Sequence, residues 1–238
     1  MATELSRKER DILKMVKSNC HLGSRNYSKN MERFFHSITN KGIPVFDLEQ
    51  TYQKIKLAAL VIAGMPDIEE VMVISSRTAG QRPVVKFSTF TGCAVTSSSR
   101  WTPGCFTNYQ TKQFKEPRLI LVADPYADSK PVIEASYMNI PCIALCNSGS
   151  NLKNVDICIP VNTSTTESIS MVMWLLTREV LLLKGSLRLE ENEDWDVMVD
   201  LFYHKEGKLE EVEEDEEEAE NLEAKAEEEN NDWEVAAN

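Results

Sequence analysis

The chain reads as an α/β protein, and three observations carry that reading. Between Leu119 and Asn147 an apolar run (Leu119 to Ala123) meets an Asp-Pro turn, a short segment opening with Pro131, and a second apolar run from Ile140 to Cys146. Strands that are apolar on both faces belong to parallel sheets joined by crossovers. The alternation continues to either side, with apolar runs from Val71 to Ile74 and from Asp156 to Val161. Right-handed crossovers and helices on both sheet faces are therefore expected. The third observation is a lack. The turn after Leu119–Ala123 holds Asp124, Pro125, Tyr126 and Asp128 where nucleotide-binding members of such folds place glycines.

The elements follow in order. Ser6-Arg-Lys-Glu9 is a capping-box pattern, and Ile12, Leu13 and Val16 follow at helical spacing, which predicts a helix from about Ser6 to Asn19. The polar stretch from His21 to Asn30 reads as loop. Phe34, Phe35 and Ile38 are separated from Ile43, Val45 and Phe46 by Thr39-Asn40-Lys41-Gly42, a hairpin signal. From Glu49 to Ala63 the stripe Tyr52, Ile55, Ala59 and Ile62 predicts a helix that Gly64-Met65-Pro66 ends. Val71 to Ile74 opens the parallel core. Gly80 to Phe90 reads as a helix with Pro83 in its first turn, followed by a short strand from Ala94 to Thr96 and a loop from Ser97 to Asn108. The two runs around Pro131 supply the third and fourth strands, and Asp156 to Val161 the fifth. Thr165 to Lys184 is nearly all apolar and predicts a buried helix capped by Gly185.

The net charge of −12 averages two unlike parts. Residues 190–238 carry 22 Asp/Glu against three lysines, whereas residues 1–189 carry 23 Lys/Arg against 16 Asp/Glu. A basic body favours a polyanion such as nucleic acid, and an acidic tail favours basic partners or solubility. The expected organisation is an α/β domain over 1–189, a strap over 190–205 containing the apolar island Trp195 to Tyr203, and a Glu-rich tail over 206–238. That tail is too poor in apolar area to offset its ordering entropy and is expected to be disordered when free. The amino-terminal run MATELSRKERDILKMVK has no apolar core of a secretory signal, and Met171 to Leu183 is interrupted by Arg178 and Glu179 and is too short to span a bilayer. Six cysteines without a CxxC pair, and only three scattered histidines, point to free, mostly buried thiols in a reducing compartment rather than to zinc.

Enzymatic signals are thin. No phosphate-loop motif occurs, and no two of the nine glycines are spaced G-x-G. Asp124, Asp128 and Glu134 could form an acidic metal or acid–base cluster at a carboxyl strand edge. The plainer reading has Asp128 or Ser129 capping a helix with Pro131 in its first turn. Neither Cys105 nor Ser99 has a nearby histidine to activate it. The Ser97–Asn108 loop carries a stronger signal, since loops this long in compact domains usually bind something. Arg100 offers a phosphate fork, Trp101 a stacking face, and Thr102, Thr107 and Asn108 polar contacts. The competing reading tucks Trp101 and Phe106 into the core. Arg77, Arg82 and Lys86 around one strand exit, with Lys112, Lys115 and Arg118 after the loop, would form a phosphate footprint if they share one edge. The island is either a strap folded back on the domain or a partner-binding segment with Trp195, Met198, Leu201 and Phe202 as its contacts.

With these residues in view, the chain closely resembles the eukaryotic ribosomal protein SA family, of laminin-receptor-precursor type, the eukaryotic branch of the universal small-subunit ribosomal S-two family. The resemblance rests on His21-Leu-Gly-Ser24, Ile74-Ser-Ser-Arg77, Gly80-Gln-Arg82, Arg100 with Thr102-Pro-Gly104, Phe106-Thr-Asn108 and Glu116-Pro-Arg-Leu119. It continues through Asp124-Pro, Glu134-Ala-Ser-Tyr137, Ile143-Ala-Leu-Cys-Asn147, Arg178-Glu-Val180, Trp195-Asp-Val-Met198 and Asp200-Leu-Phe202, and spans about residues 5 to 205. It implies a flavodoxin-like three-layer α/β/α sandwich with a mainly parallel five-stranded sheet and no enzymatic activity, cofactor or small-molecule substrate. It also implies a cytoplasmic place in the 40S subunit, with 18S rRNA and adjacent ribosomal proteins as partners, no membrane, and a part in late pre-rRNA maturation. Trp101 stands for a usual Phe, Ser99 for a Gly, Cys105 for a Thr and Tyr126 for a common Arg. Ile159 to Trp174 differs from the region tied to laminin binding, so a cell-surface receptor role is not expected. A small-molecule enzyme on the same fold remains the alternative from another class.

Overall fold

The computed structural model describes residues 6–96, 100–189 and 193–204. The acidic tail expected over 206–238 lies outside the described residues. The chain opens with α1 (Arg7–Lys17), where the capping box forms as the sequence predicts. Ser6 Oγ accepts from the Glu9 amide, and the Glu9 carboxylate accepts from the Ser6 amide at 2.8 Å. A 3₁₀ turn (Lys29–Phe34) leads into the antiparallel hairpin β1 (Phe35–Ile38) and β2 (Pro44–Phe46), turned at Gly42 with φ +75°. Helix α2 (Leu48–Ala63) starts at Asp47, whose carboxylate accepts from the Glu49 amide at 3.0 Å.

The core then alternates: β3 (Val71–Ile74), α3 (Thr78–Thr91), β4 (Ala94–Thr96), β5 (Leu119–Val122), α4 (Ser129–Tyr137), β6 (Cys142–Cys146), β7 (Ile157–Pro160) and α5 (Thr166–Leu183). The five strands are all parallel in the order β4-β3-β5-β6-β7. Counted within the sheet this is 2-1-3-4-5, the flavodoxin-like order. Strand alternation sorts the side chains into two layers. Val71, Val73, Leu119, Leu121, Ile143, Leu145 and Ile159 pack against α1, α2, α3 and α5. Met72, Ile74, Ile120, Val122, Ala144 and three cysteines face α4, the hairpin segment and the Trp101–Phe106 loop. One face therefore has four helices, and the other is closed largely by loops. All six cysteines are free and buried, Cys20 and Cys93 in the first layer and the other four in the second. Among the described residues no helix is long and apolar enough to cross a membrane.

Two local expectations change. Helix α3 begins at Thr78, so Pro83 falls in its second turn rather than its first, and it has no N–H to return to the Ala79 carbonyl. Gly80 lets that helix approach the sheet: a Cβ there would meet Ser75 Oγ and sit 3.3 Å from the Cβ of Ala123. In α4, Asp128 occupies the N-cap position but makes no side-chain cap, because its carboxylate is used elsewhere. Pro131 does lie in the first turn, and Gly185 closes α5 in the left-handed region as expected.

The apolar island folds back on the domain. Trp195 packs edge-on against Phe90 (5.3 Å between centroids) and tilts over Trp174 at 5.6 Å. Phe202 is fully buried, stacked on Phe90 at 5.9 Å. Trp174 Nε1 donates to the Val197 carbonyl, Ser170 Oγ to that of Phe202, and Arg82 Nε to that of Leu201. Phe202 is thus corrected from a partner contact to a packing residue, because stacking on this aromatic cluster removes it from water, whereas Trp195 packs on the cluster and stays partly exposed. Met198 stays 76% exposed and Leu201 lies at the surface.

Candidate functional site

In a sheet of this order the strand sequence reverses between β3 and β5, and ligands ordinarily bind at the carboxyl ends of those two strands. Here the exits of both strands are tied together. The Arg77 guanidinium meets Asp124 Oδ2 at 2.9 Å and the Thr163 carbonyl at 2.8 Å. Asp128 Oδ1 accepts from the Ser76 amide at 3.0 Å and from Ser76 Oγ at 2.5 Å. Asp124 also accepts from the Tyr126 amide, which shapes the Asp-Pro turn. Burial pushes the Asp124 and Asp128 carboxyls above the ordinary carboxylate range, against the opposing pull of Tyr126 and Arg77 on one and of Ser76 on the other. Asp124 is engaged by Arg77, and Asp128 by Ser76, where the phosphate of a nucleotide would bind, leaving a hollow of about 260 Å³ outside them.

Glu134 is not part of that acidic group. It lies on α4 at a buried position and organises the Trp101–Asn108 loop. Its carboxylate accepts from Trp101 Nε1 (2.9 Å), the Phe106 amide (2.9 Å), and the amide and hydroxyl of Thr107. Burial works to raise its pKa, yet the donors from Trp101, Phe106 and Thr107 outweigh it and hold the carboxyl below the ordinary value. Among the described residues no group of three or more His, Cys, Asp or Glu could hold a metal. The signal for Glu134 in the sequence was a carboxylate between Val132 and Ala135, on the face of α4 that packs inward.

The candidate contacts divide. Trp101 is 8% exposed, its ring 5.0 Å from Phe106, so it offers no stacking face; the reading that tucks this pair into the core is the one the structure adopts. Arg77 stands at the carboxyl edge with its side chain 39% exposed. Arg82 and Lys86 lie one turn apart on α3, and Arg82 also holds the strap. Arg100 is exposed beside Trp101. Asn108 is exposed, but its carbonyl oxygen caps the Gln110 amide. Lys112 and Lys115 are exposed further on. Lys115 borders a cleft with Glu69, Glu70 and Glu116 at the amino ends of β3 and β4, where Arg118 pairs with Glu70 at 2.9 Å. The expected single basic edge does not form, because Arg77 follows a strand whereas Lys115 and Arg118 precede one, which sets them at opposite ends of a parallel sheet.

One buried pair escaped the sequence reading. Arg178, 1% exposed in the middle of α5, makes a two-pronged contact with Asp11 of α1 at 2.9 and 2.6 Å. Burial opposes the guanidinium charge, but Asp11 and Glu179 keep its pKa above the ordinary arginine value.

The sequence matches the family described as ribosomal protein S2 over residues 15–115 and 111–182. It is 47% identical to the small ribosomal subunit protein uS2 of Coccidioides posadasii over 207 residues, covering 87% of this chain and 70% of that protein. It is also 47% identical to the proteins of the same name from Talaromyces marneffei, over 204 residues (86% and 70%), and Sclerotinia sclerotiorum, over 201 residues (84% and 67%).

Proposed function

The chain belongs to the ribosomal protein S2 family, and we propose that it is a structural constituent of the small ribosomal subunit of the eukaryotic SA type. In this reading it binds 18S rRNA and neighbouring small-subunit proteins in the cytoplasm and is required for late pre-rRNA maturation. The observation that carries the reading is the family match, which runs from α1 to the end of α5 and so takes in the whole sheet. The chemistry agrees with it. The crevice that would hold a cofactor is occupied by Arg77–Asp124 and Ser76–Asp128, and the surplus positive charge of residues 1–189 suits a polyanion. The rRNA contacts are Arg77, Arg82, Lys86, Arg100, Asn108, Lys112 and Lys115, spread over several sides rather than gathered on one edge. Met198 and Leu201 are the outward residues of the strap left for a protein neighbour.

The deciding experiment is sucrose-gradient sedimentation of the tagged full chain from cell lysate. It should travel with 40S particles and leave them as salt rises; recovery wholly outside ribosomal fractions overturns the proposal. Replacing Lys86, Arg100 and Lys112 together by alanine should lower the slope of log affinity for the rRNA against log salt by about 2 to 3, since each phosphate neutralised contributes roughly 0.7 to 0.9. An unchanged slope removes these three from the contact set.

A further inference from the structure

Helix α4 has an outward face that the contacts above leave unused. Tyr137 at its end is 72% exposed, and Tyr126, just before it, is 79% exposed. Between this helix and the segment 151–154 runs a hollow of about 520 Å³, bordered by Tyr137, Asn151, Lys153 and Asn154. Its neighbour is the 260 Å³ hollow at the carboxyl edge, bordered by Arg77 and Tyr126. The two adjoin, because Pro125 borders one and Tyr126 the other, and Ser150 borders one and Asn151 the other. Together they form a groove from Arg77, past Tyr126, along α4 to Tyr137. Its border carries one lysine beyond the Arg77–Asp124 pair. The larger hollow is bordered by Lys153 and by no Asp or Glu, and the smaller by a single carboxylate, Asp124, which Arg77 already engages.

We propose that this groove receives an unpaired strand of the subunit's rRNA, an inference that rests on the ribosomal reading above and names a surface within it. Exposed tyrosine rings near both ends offer flat faces to unstacked bases, a sequence-tolerant contact that a duplex cannot use. Asn151 and Asn154 supply amide donors and acceptors for base edges. Lys153 and the exposed side of Arg77 neutralise phosphates where the backbone passes. Of these side chains the sequence implicated Arg77 and marked Tyr126 as standing for a common Arg, while Trp101, the ring expected to stack, is buried.

The test uses the purified full chain and a fluorescein-labelled uridine decamer in an anisotropy titration. Tyr126→Ala and Tyr137→Ala should each weaken binding roughly 5- to 50-fold, and phenylalanine at either position should restore it, because stacking needs the ring and not the hydroxyl. Lys153→Ala should lower the salt slope by about 0.7. Both rings are exposed, so the variants should keep the parent's urea midpoint. A chain that does not bind the decamer, or alanine variants that bind it like the parent, overturn the groove. Ultraviolet cross-linking in small subunits from cells completes the test: an adduct of Tyr137 within rRNA supports the proposal, and one to messenger RNA or to a protein overturns it. Alanine variants that sediment with subunits yet bind the decamer like the parent would sink the groove alone, whereas absence of the parent chain from subunit fractions would sink the ribosomal reading itself.

Discussion

Glu134 takes four hydrogen bonds from a loop about thirty residues away in sequence, and its worth can be measured. Glu134→Gln keeps the shape but turns an acceptor into a donor, leaving at least one buried N–H unsatisfied, and should cost about 2 kcal/mol in urea unfolding. The pH dependence has a definite sign. A carboxyl held below its ordinary value when folded stabilises the protein fully above that value, near 4.5, and loses the contribution as pH falls through the lower folded value. The parent should therefore weaken in acid relative to Glu134→Gln, the two curves converging at low pH. The Asp11–Arg178 pair makes a second case. Asp11→Ala removes the two-pronged partner of a buried guanidinium, leaving it Glu179 alone, and should cost about 3 kcal/mol, while replacing both Asp11 and Arg178 with leucine should recover part of the loss. Neither partnership was legible in the sequence. The residue types were, but a carboxylate's donors come from segments whose adjacency only the fold creates, so Glu134 was readable as an acid and not as an anchor.

At the scale of elements, the strap is the sharpest prediction. Phe202→Ala opens a cavity under α5 and should cost about 3 to 5 kcal/mol, whereas Met198→Ser, at an exposed site, should be near neutral. Hydrogen exchange of residues 193–204 should accelerate in the first variant and not in the second. Helices and strands were legible because their signals are local. The capping box fixed the start of α1, the apolar stripe fixed α2, and unbroken apolar runs fixed β5 and β6. Boundaries were less so. Helix α3 starts two residues before Gly80, since Gly80 reads as a breaker, yet here its lack of a Cβ is what lets the helix sit against Ser75. The strap's fate was undecidable from sequence, because an apolar island suits a partner and its own domain equally; the aromatic cluster of Phe90 and Trp174 decides it.

Over the whole molecule, a doubly wound sheet without glycine-rich turns was readable, and the structure adds the Arg77–Asp124 and Ser76–Asp128 contacts at the strand exits. Saturating ATP or FMN should leave the melting temperature of the full chain unchanged; a rise of several degrees would show that the Arg77–Asp124 pair opens to admit a nucleotide. Positive charge is not gathered on one edge, for a simple reason. In a parallel sheet a residue after a strand and a residue before one lie at opposite ends, so Arg77 and Lys115 do not share one edge. In the ribosomal reading the charge contacts with rRNA are accordingly dispersed, and removing any one of these basic side chains alone should change affinity little.

The burial of every thiol, two beneath the helical face and four beneath the loop-covered face, supplies a built-in gauge of which layer loosens first. A brief pulse of alkylating reagent during mild heating, followed by peptide mass mapping, would date the opening of each side separately. If loops make the weaker lid, Cys105 and Cys142 should be tagged before Cys20 and Cys93.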